Sequence, residues 1–314
     1  MHANRKALLI AGSVAVMTLF FALTASAQVA RVFLSGTGND TNDCSDVTTP
    51  CRSLQGAINQ CPVNGEIIVL SSGGFGTANI TKPLTINAPD GVVAFNARTI
   101  SVNIAASDTV VIRGLSMQGA VFGDGYGVEF NTGGALIVEN CIVDGFSSAG
   151  IGQVAAGGTM IINHCEFRNG GGDGIWLIPQ SATATFLTVE DSRFIGNAGA
   201  GLDLSGTTNS VIKDSVITGS IYGVIAVATT AGDPKVTVDR CVIAHNTSSS
   251  DAAGIRAQDF RGPPYDVTVR VTNSSIYGNT TGLVSFGSSI VSYGTNQLYN
   301  NGTNGTFNST IAQQ

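Results

Sequence analysis

From Val110 onward the apolar residues fall into columns that recur about every two dozen positions. One reference position marks each repeat: Leu115, Cys141, Cys165, Ser192, Ser215, Cys241, Ser274 and Asn296, at intervals of 26, 24, 27, 23, 26, 33 and 22. Two residues later comes an apolar one every time, as Met117, Val143, Phe167, Phe194, Ile217, Ile243, Ile276 and Leu298. Three residues earlier stand Ile112, Val138, Ile162, Val189, Ile212, Val238, Val271 and Tyr293. A last column follows a Gly/Asn turn as Gly plus an apolar residue: Val128, Ile151, Ile175, Leu202, Val224, Ile255 and Leu283. Each repeat thus holds about three short segments of period-two character, too short and turn-rich to stand alone. Stacked at about 4.8 Å per coil, equal positions bury one another and every strand pairs with its neighbours above and below. The pattern predicts an all-β, single-domain parallel β-helix of about ten coils. Asn197, Asn246, Asn279 and Asn301 recur at one turn position, as an asparagine ladder would.

The stretch before Val110 is less regular. It predicts strands at Val32–Leu34, Ile67–Leu70, Leu84–Asn87, Val92–Phe95 and Ile100–Ile104, with a Gly/Asn/Asp/Thr-rich loop over 35–50. Leu54, Ala57, Ile58 and Cys61 lie on one helical face. A solenoid end exposes apolar interior and open strand edges, so this short helix is assigned as its lid. The chain divides into a signal peptide (1–27), a cap of strand, loop and short helix (28–65), the β-helix (66–305) and a polar tail (306–314) that frays or caps the far end.

The first segment carries Arg5 and Lys6, an apolar run, and Ala25-Ser26-Ala27 as a small-residue cleavage site. It implies export to a periplasmic or extracellular location. No later apolar run is long enough to span a bilayer. Loss of Arg5 and Lys6 leaves 13 basic against 21 acidic residues, a net charge of about −8, which argues against nucleic acid or an anionic membrane as partner. Charged residues make up only 11% of the chain while Gly contributes 40 positions, a composition that excludes a helical bundle. In an oxidising compartment Cys44, Cys51 and Cys61 can supply a disulfide, most simply Cys44–Cys51, with Cys61 open to either partner. Cys141, Cys165 and Cys241 share one repeat position and read as small buried residues, so no metal site is assigned to them.

The phrases ENCIVDGFSSAGI and NHCEFRNGGGDGIWL resemble the right-handed parallel β-helix repeat of the pectate-lyase-like superfamily. The opening FLSGTGNDTNDCSDVTTPCRSLQGAI resembles the first segment of secreted bacterial β-helix proteins, where a strand, a Gly/Asp loop and a short helix precede the coils. The resemblance implies a right-handed β-helix over nearly all the exported chain. It does not select an activity, because the superfamily includes lyases, hydrolases, epimerases and adhesins. The polygalacturonase-like motifs, tested against GGDGIWL, NAGAGLDL, IYGVIAV and DAAGIRAQ, leave only Asp173 and Arg256 in suggestive places. The Asp-Asp pair and the His are missing, so neither residue inherits a catalytic role.

Three other features carry candidate chemistry. Glu190-Asp191, Lys213-Asp214 and Asp239-Arg240 form a polar row, read as opposite charges stacking between coils. On the strand after the turn, the outward column is Glu129, Gly152, Trp176, Asp203, Ile225, Arg256 and Val284, which exposes the single tryptophan on a sheet face where it suits a sugar ring. Loops lengthen along the edge beyond this strand, so Trp176, Asp203, Arg256, Asp259, Arg261 and Tyr265 are the candidate substrate-binding residues. The reading is a secreted, non-catalytic β-helix protein that binds polysaccharide or decorates the cell surface, without cofactor. The alternative is a polysaccharide lyase or related carbohydrate-active enzyme. That alternative alone admits Ca²⁺, and needs Arg256 to neutralise a uronate and a base to take the α-proton.

Overall fold

The computed structural model describes residues 30–153, 155, 157–262 and 266–312. The expected signal peptide and the candidate residue Tyr265 lie outside these residues. Three sheets of 12, 10 and 9 strands are built entirely from parallel neighbours, and each successive coil adds one strand to each sheet. The third sheet, whose nine strands count the complete coils, puts their number slightly below the ten expected. The first sheet runs from Arg31–Leu34 to Ser309–Thr310, the second from Gly73–Gly74 to Gln297–Tyr299, and the third from Ala78–Ile80 to Thr281–Phe286.

The columns read from the sequence are rungs of these sheets. Met117, Val143, Phe167, Phe194, Ile217, Ile243, Ile276 and Leu298 are consecutive register partners. Ile112, Val138, Ile162, Val189, Ile212, Val238 and Val271 are likewise in line. The last member differs: Ser292, not Tyr293, pairs with Val271, because the final coil spends one more residue between this strand and the corner at Asn296. The strands Gly73–Gly74 and Ala78–Ile80 were not foreseen, being too short to show an apolar period.

Three turns per coil carry the chain from sheet to sheet. The first is made by a residue with left-handed backbone just before the reference position, with φ of 53° at Asn140, 52° at His164, 48° at Asp191, 50° at Asp214, 51° at Arg240 and 49° at Asn273. Asn, Asp and His are the residues most often found in this region, whereas Arg240 adopts it at a cost of about 1–2 kcal/mol. The coil above fixes it: the N–H of His164 donates to the Glu190 carbonyl and that of Arg240 to the Thr272 carbonyl, both at 3.2 Å. The glycine before the third-sheet column has a different cause. A Cβ on Gly127, Gly150, Gly174, Gly201, Gly223 or Gly254 would stand 2.5 to 2.9 Å from the carbonyl oxygen of the same glycine one coil on. Only glycine permits that approach.

The interior is apolar with two polar seams. At the reference position the Ser192 hydroxyl accepts from the Cys165 N–H, Ser215 from Ser192, and Ser274 from Cys241, all at 3.1 Å. Cys141, Cys165 and Cys241 are buried thiols in this seam, and burial pushes the last up to about 12. The second seam is the asparagine ladder. Asn246 Nδ2 donates to Asn279 Oδ1 and Asn279 Nδ2 to Asn301 Oδ1, each at 2.9 Å. The ladder is interrupted at Ser220, which stands between Asn197 and Asn246 and whose buried hydroxyl has no partner among the described residues.

The cap forms as the sequence implies. Leu54, Ala57 and Ile58 are the buried side of helix Leu54–Gln60, which packs on strands Arg31–Leu34 and Ala78–Ile80. Asp40 Oδ1 accepts from the N–H groups of Arg52 and Ser53 at 2.8 Å, and Ser53 caps the helix by accepting from Gly56. Cys44 and Cys51 form the disulfide, leaving Cys61 as a buried free thiol pushed up to about 11 by burial. At the other end the tail continues the first sheet: Asn308 Oδ1 accepts from the Ile290 N–H at 2.7 Å ahead of strand Ser309–Thr310.

The two kinds of buried polar group predict opposite mutational outcomes. Asn279→Ala strips partners from Asn246 and Asn301 and is expected to cost about 1–3 kcal/mol in urea unfolding. Ser220→Ala removes a hydroxyl that bonds to nothing and is expected to leave stability unchanged or slightly raised.

Candidate functional site

The outward column of the third sheet is Glu129, Gly152, Trp176, Asp203, Ile225, Arg256 and Val284, each the register partner of the next. Trp176 and Asp203 therefore stand on adjacent coils about 4.8 Å apart, with Arg256 two coils beyond Asp203. A second set, in which partly exposed residues alternate with buried alanines, begins three residues earlier on the same strands. It contains Tyr126, Asp173 and Tyr222, paired in line with Ala149, Ala200 and Ala253. These positions were missed as a group because their residue types share no pattern. The constant offset of three from the recognised column is the signal that finds them.

Trp176 is half-buried, not free. Gly152 leaves a gap in the column, and the Tyr126 ring lies across it: a Cβ on Gly152 would meet Tyr126 Cε1 at 2.6 Å. From there Tyr126 stacks on Trp176, with centroids 6.2 Å apart and planes 11° from parallel. Tyr126, two coils away, thus supplies the cover. Burial, and then the negative charge of Glu129, raises the Tyr126 phenol above its usual range.

Asp203 stands beside this pair. Ser205 Oγ donates to its Oδ1 at 2.6 Å, which favours the charged form. Burial outweighs that bond, and with the Asp173 charge adding to it the Asp203 carboxyl is pushed up to about 7. Asp173 is also raised by burial, although its Oδ1 accepts from the Ala200 N–H at 2.6 Å. The face thus carries two outward carboxyls on neighbouring coils, one of which holds its proton near neutrality.

Arg256 is committed elsewhere. Its guanidinium donates to Asp251 at 2.7 Å and to Gln258 Oε1 at 2.9 Å, and lies 5.3 Å from the centre of the Tyr222 ring. The Tyr222 hydroxyl donates to the second Asp251 oxygen at 2.8 Å, so four side chains close one network. The Arg256 and Tyr222 bonds hold Asp251 below the usual carboxylate range.

Asp259 and Arg261 do not join Trp176. Asp259 is 1% exposed, and both its oxygens accept from Arg261, at 2.8 to 3.0 Å. Arg261 also donates to the Thr229 carbonyl at 2.8 Å and pairs with Asp233. This cluster ties the loop after strand Ala253–Gln258 to the preceding coil's loop. A carboxylate so enclosed is not available to a ligand. The polar row at the first corner is also internally paired: Lys213 bridges to Glu190 at 2.6 Å, and Arg240 to Asp214 at 2.7 Å and to Asp239. Among the described residues no three His, Cys, Asp or Glu are grouped to hold a metal ion, and no helix is long and apolar enough to cross a membrane.

Among curated proteins none matches this sequence. The crystal structure of pectate lyase Pel9A is similar over 92% of this chain and 74% of its own, with a TM-score of 0.49 and 15% identity. A family model described as the right handed beta helix region matches residues 67–243 and 156–311. These spans take in nearly every coil built above, and the chain belongs to the right-handed β-helix family.

Proposed function

We propose that this is an exported polysaccharide-binding β-helix protein whose binding face is the outer side of the third sheet around Tyr126, Trp176 and Asp203. The observation that carries this reading is the Tyr126–Trp176 stack, with Asp203 the register neighbour of Trp176 on the next coil. Aromatic surface on a sheet face suits the apolar side of a sugar ring, and the neighbouring carboxyls offer hydrogen bonds to its hydroxyls. Glu129, Asp173 and Asp203 give the face acidic character, which favours neutral sugars over uronates. Arg256, required by a lyase to neutralise a uronate, is already satisfied by Asp251, Gln258 and Tyr222.

A second reading, a carbohydrate-active enzyme, is favoured by Asp203 itself. A carboxyl that keeps its proton near pH 7 can protonate a leaving oxygen, and Asp173 would be the second carboxylate of such a pair. Turnover separates the two readings. Release of reducing ends, lost in Asp203→Asn while binding persists, establishes the enzyme; binding without release establishes the lectin-like role.

Trp176→Ala is expected to weaken binding to neutral polysaccharides about tenfold in affinity electrophoresis. Failure of the wild-type protein to bind any glycan in a broad panel sinks the reading. Asp203 also predicts a pH signature of stability. Because its folded-state value lies above the ordinary 3.8, protonation favours the folded state. That contribution is complete below about pH 4 and is lost as pH rises to 7 and beyond. Wild type should lose roughly 2–4 kcal/mol more than Asp203→Asn between pH 4 and pH 8 in urea titrations.

A further inference from the structure

Nearly every described Lys and Arg has a partner. Nine form ion pairs. Arg52 and Lys82 donate to the carbonyls of Gly74 and Asn59. Among the described Lys and Arg residues only Lys235 and Arg270 have neither an ion pair nor a side-chain hydrogen bond. These two line the same open hollow of about 350 Å³ on the outer face of the first sheet.

The register explains how they meet. Phe186, Asn209 and Lys235 are successive partners along one outward column, and Thr188, Val211, Thr237 and Arg270 along the next. Lys235 and Arg270 are one coil and two residues apart, so their Cα atoms lie about 8 Å from each other. Like charges side by side on a sheet repel. On the same sheet Lys213 and Glu190 show the usual remedy, an acid from the adjacent coil. Here neither cation is ion-paired among the described residues: Lys235 also borders an adjoining hollow lined by Asp233 and Asp266, but Asp233 is taken by Arg261 and neither acid pairs with Lys235, in a chain whose net charge is −6. The same hollow exposes large apolar side chains, Phe186 at 50% and Val211 at 41%.

We propose that this hollow binds an anionic sugar, with its carboxylate or sulfate oxygens held by Lys235 and Arg270. The ring then lies against Phe186 and Val211, and the hydroxyls of Thr188 and Thr237 and the Asn209 amide reach its polar groups. A guanidinium fork and an ammonium are complementary to either oxyanion. The site is on a different sheet from Trp176 and does not depend on the reading given for that face.

Calorimetric titration of the intact protein at low salt tests it, with tetragalacturonate, a sulfated heparin tetrasaccharide and neutral cellotetraose as probes. At least one anionic probe should bind, and Lys235→Gln/Arg270→Gln should weaken it tenfold or more. Phe186→Ala should weaken it severalfold, Trp176→Ala should leave it unchanged, and 0.5 M salt should weaken it strongly. Which anionic probe binds identifies carboxylate or sulfate as the recognised group. The proposal is overturned if neither binds, if the double variant binds as wild type does, or if inorganic sulfate alone binds as tightly as the oligosaccharide. Unchanged melting of the double variant confirms that the loss is one of binding, since neither side chain has a partner to lose.

Discussion

Hydrogen bonding between identical positions of successive coils is the constraint from which the rest of this protein follows. Parallel strands as short as three residues cannot hold themselves, and each is stable only because the coils on both sides are in the same register. The constant register holds Arg240 in left-handed backbone that its side chain does not favour. It also makes the glycines of the third sheet unavoidable, because six of them face a carbonyl of the next coil at a distance no Cβ allows. A slip of one residue would turn every buried column to solvent.

Inside the coils, register is reinforced by polar groups that the apolar columns alone do not explain. Valine and isoleucine columns are nearly interchangeable and would tolerate misalignment. A serine hydroxyl or asparagine amide buried at a corner is satisfied only when the next coil presents the right N–H. The seam from Cys165 through Ser215 and the ladder from Asn246 to Asn301 therefore do what side-chain volume cannot. Ser220, whose hydroxyl finds nothing, shows where the ladder is imperfect.

On the outside the same stacking acts on charge. Side chains one coil apart are close enough to pair, and most cations have found an acid in this way, which leaves the greater part of the surface electrostatically quiet. The exceptions stand out against that background. Asp203 is carboxyl-rich company for Asp173 and sits in an environment that keeps its proton. Lys235 and Arg270 are cations that form no ion pair among the described residues. Such groups are energetically costly to keep, and each lies beside exposed or half-exposed aromatic surface.

The fold was legible because a parallel β-helix is one-dimensional: the period of the sequence is the period of the structure. Reading Cys141, Cys165 and Ser192 as equivalent was enough to place the apolar columns, the outward column through Trp176 and Arg256, and the helix at the entrance. The irregular first coils were harder, since Gly73–Gly74 and Ala78–Ile80 take their pairing from neighbours and carry no pattern of their own. Side-chain reach between coils was not legible at all. Only the folded chain lays Tyr126 across Gly152 onto Trp176, encloses Asp259 with Arg261, ties Arg256 to Asp251, and leaves Lys235 and Arg270 with no ion pair among the described residues. Column membership depends on spacing along the chain, which a sequence displays. Contact between columns depends on where long side chains bend across the face, and that is settled only when all the coils are stacked.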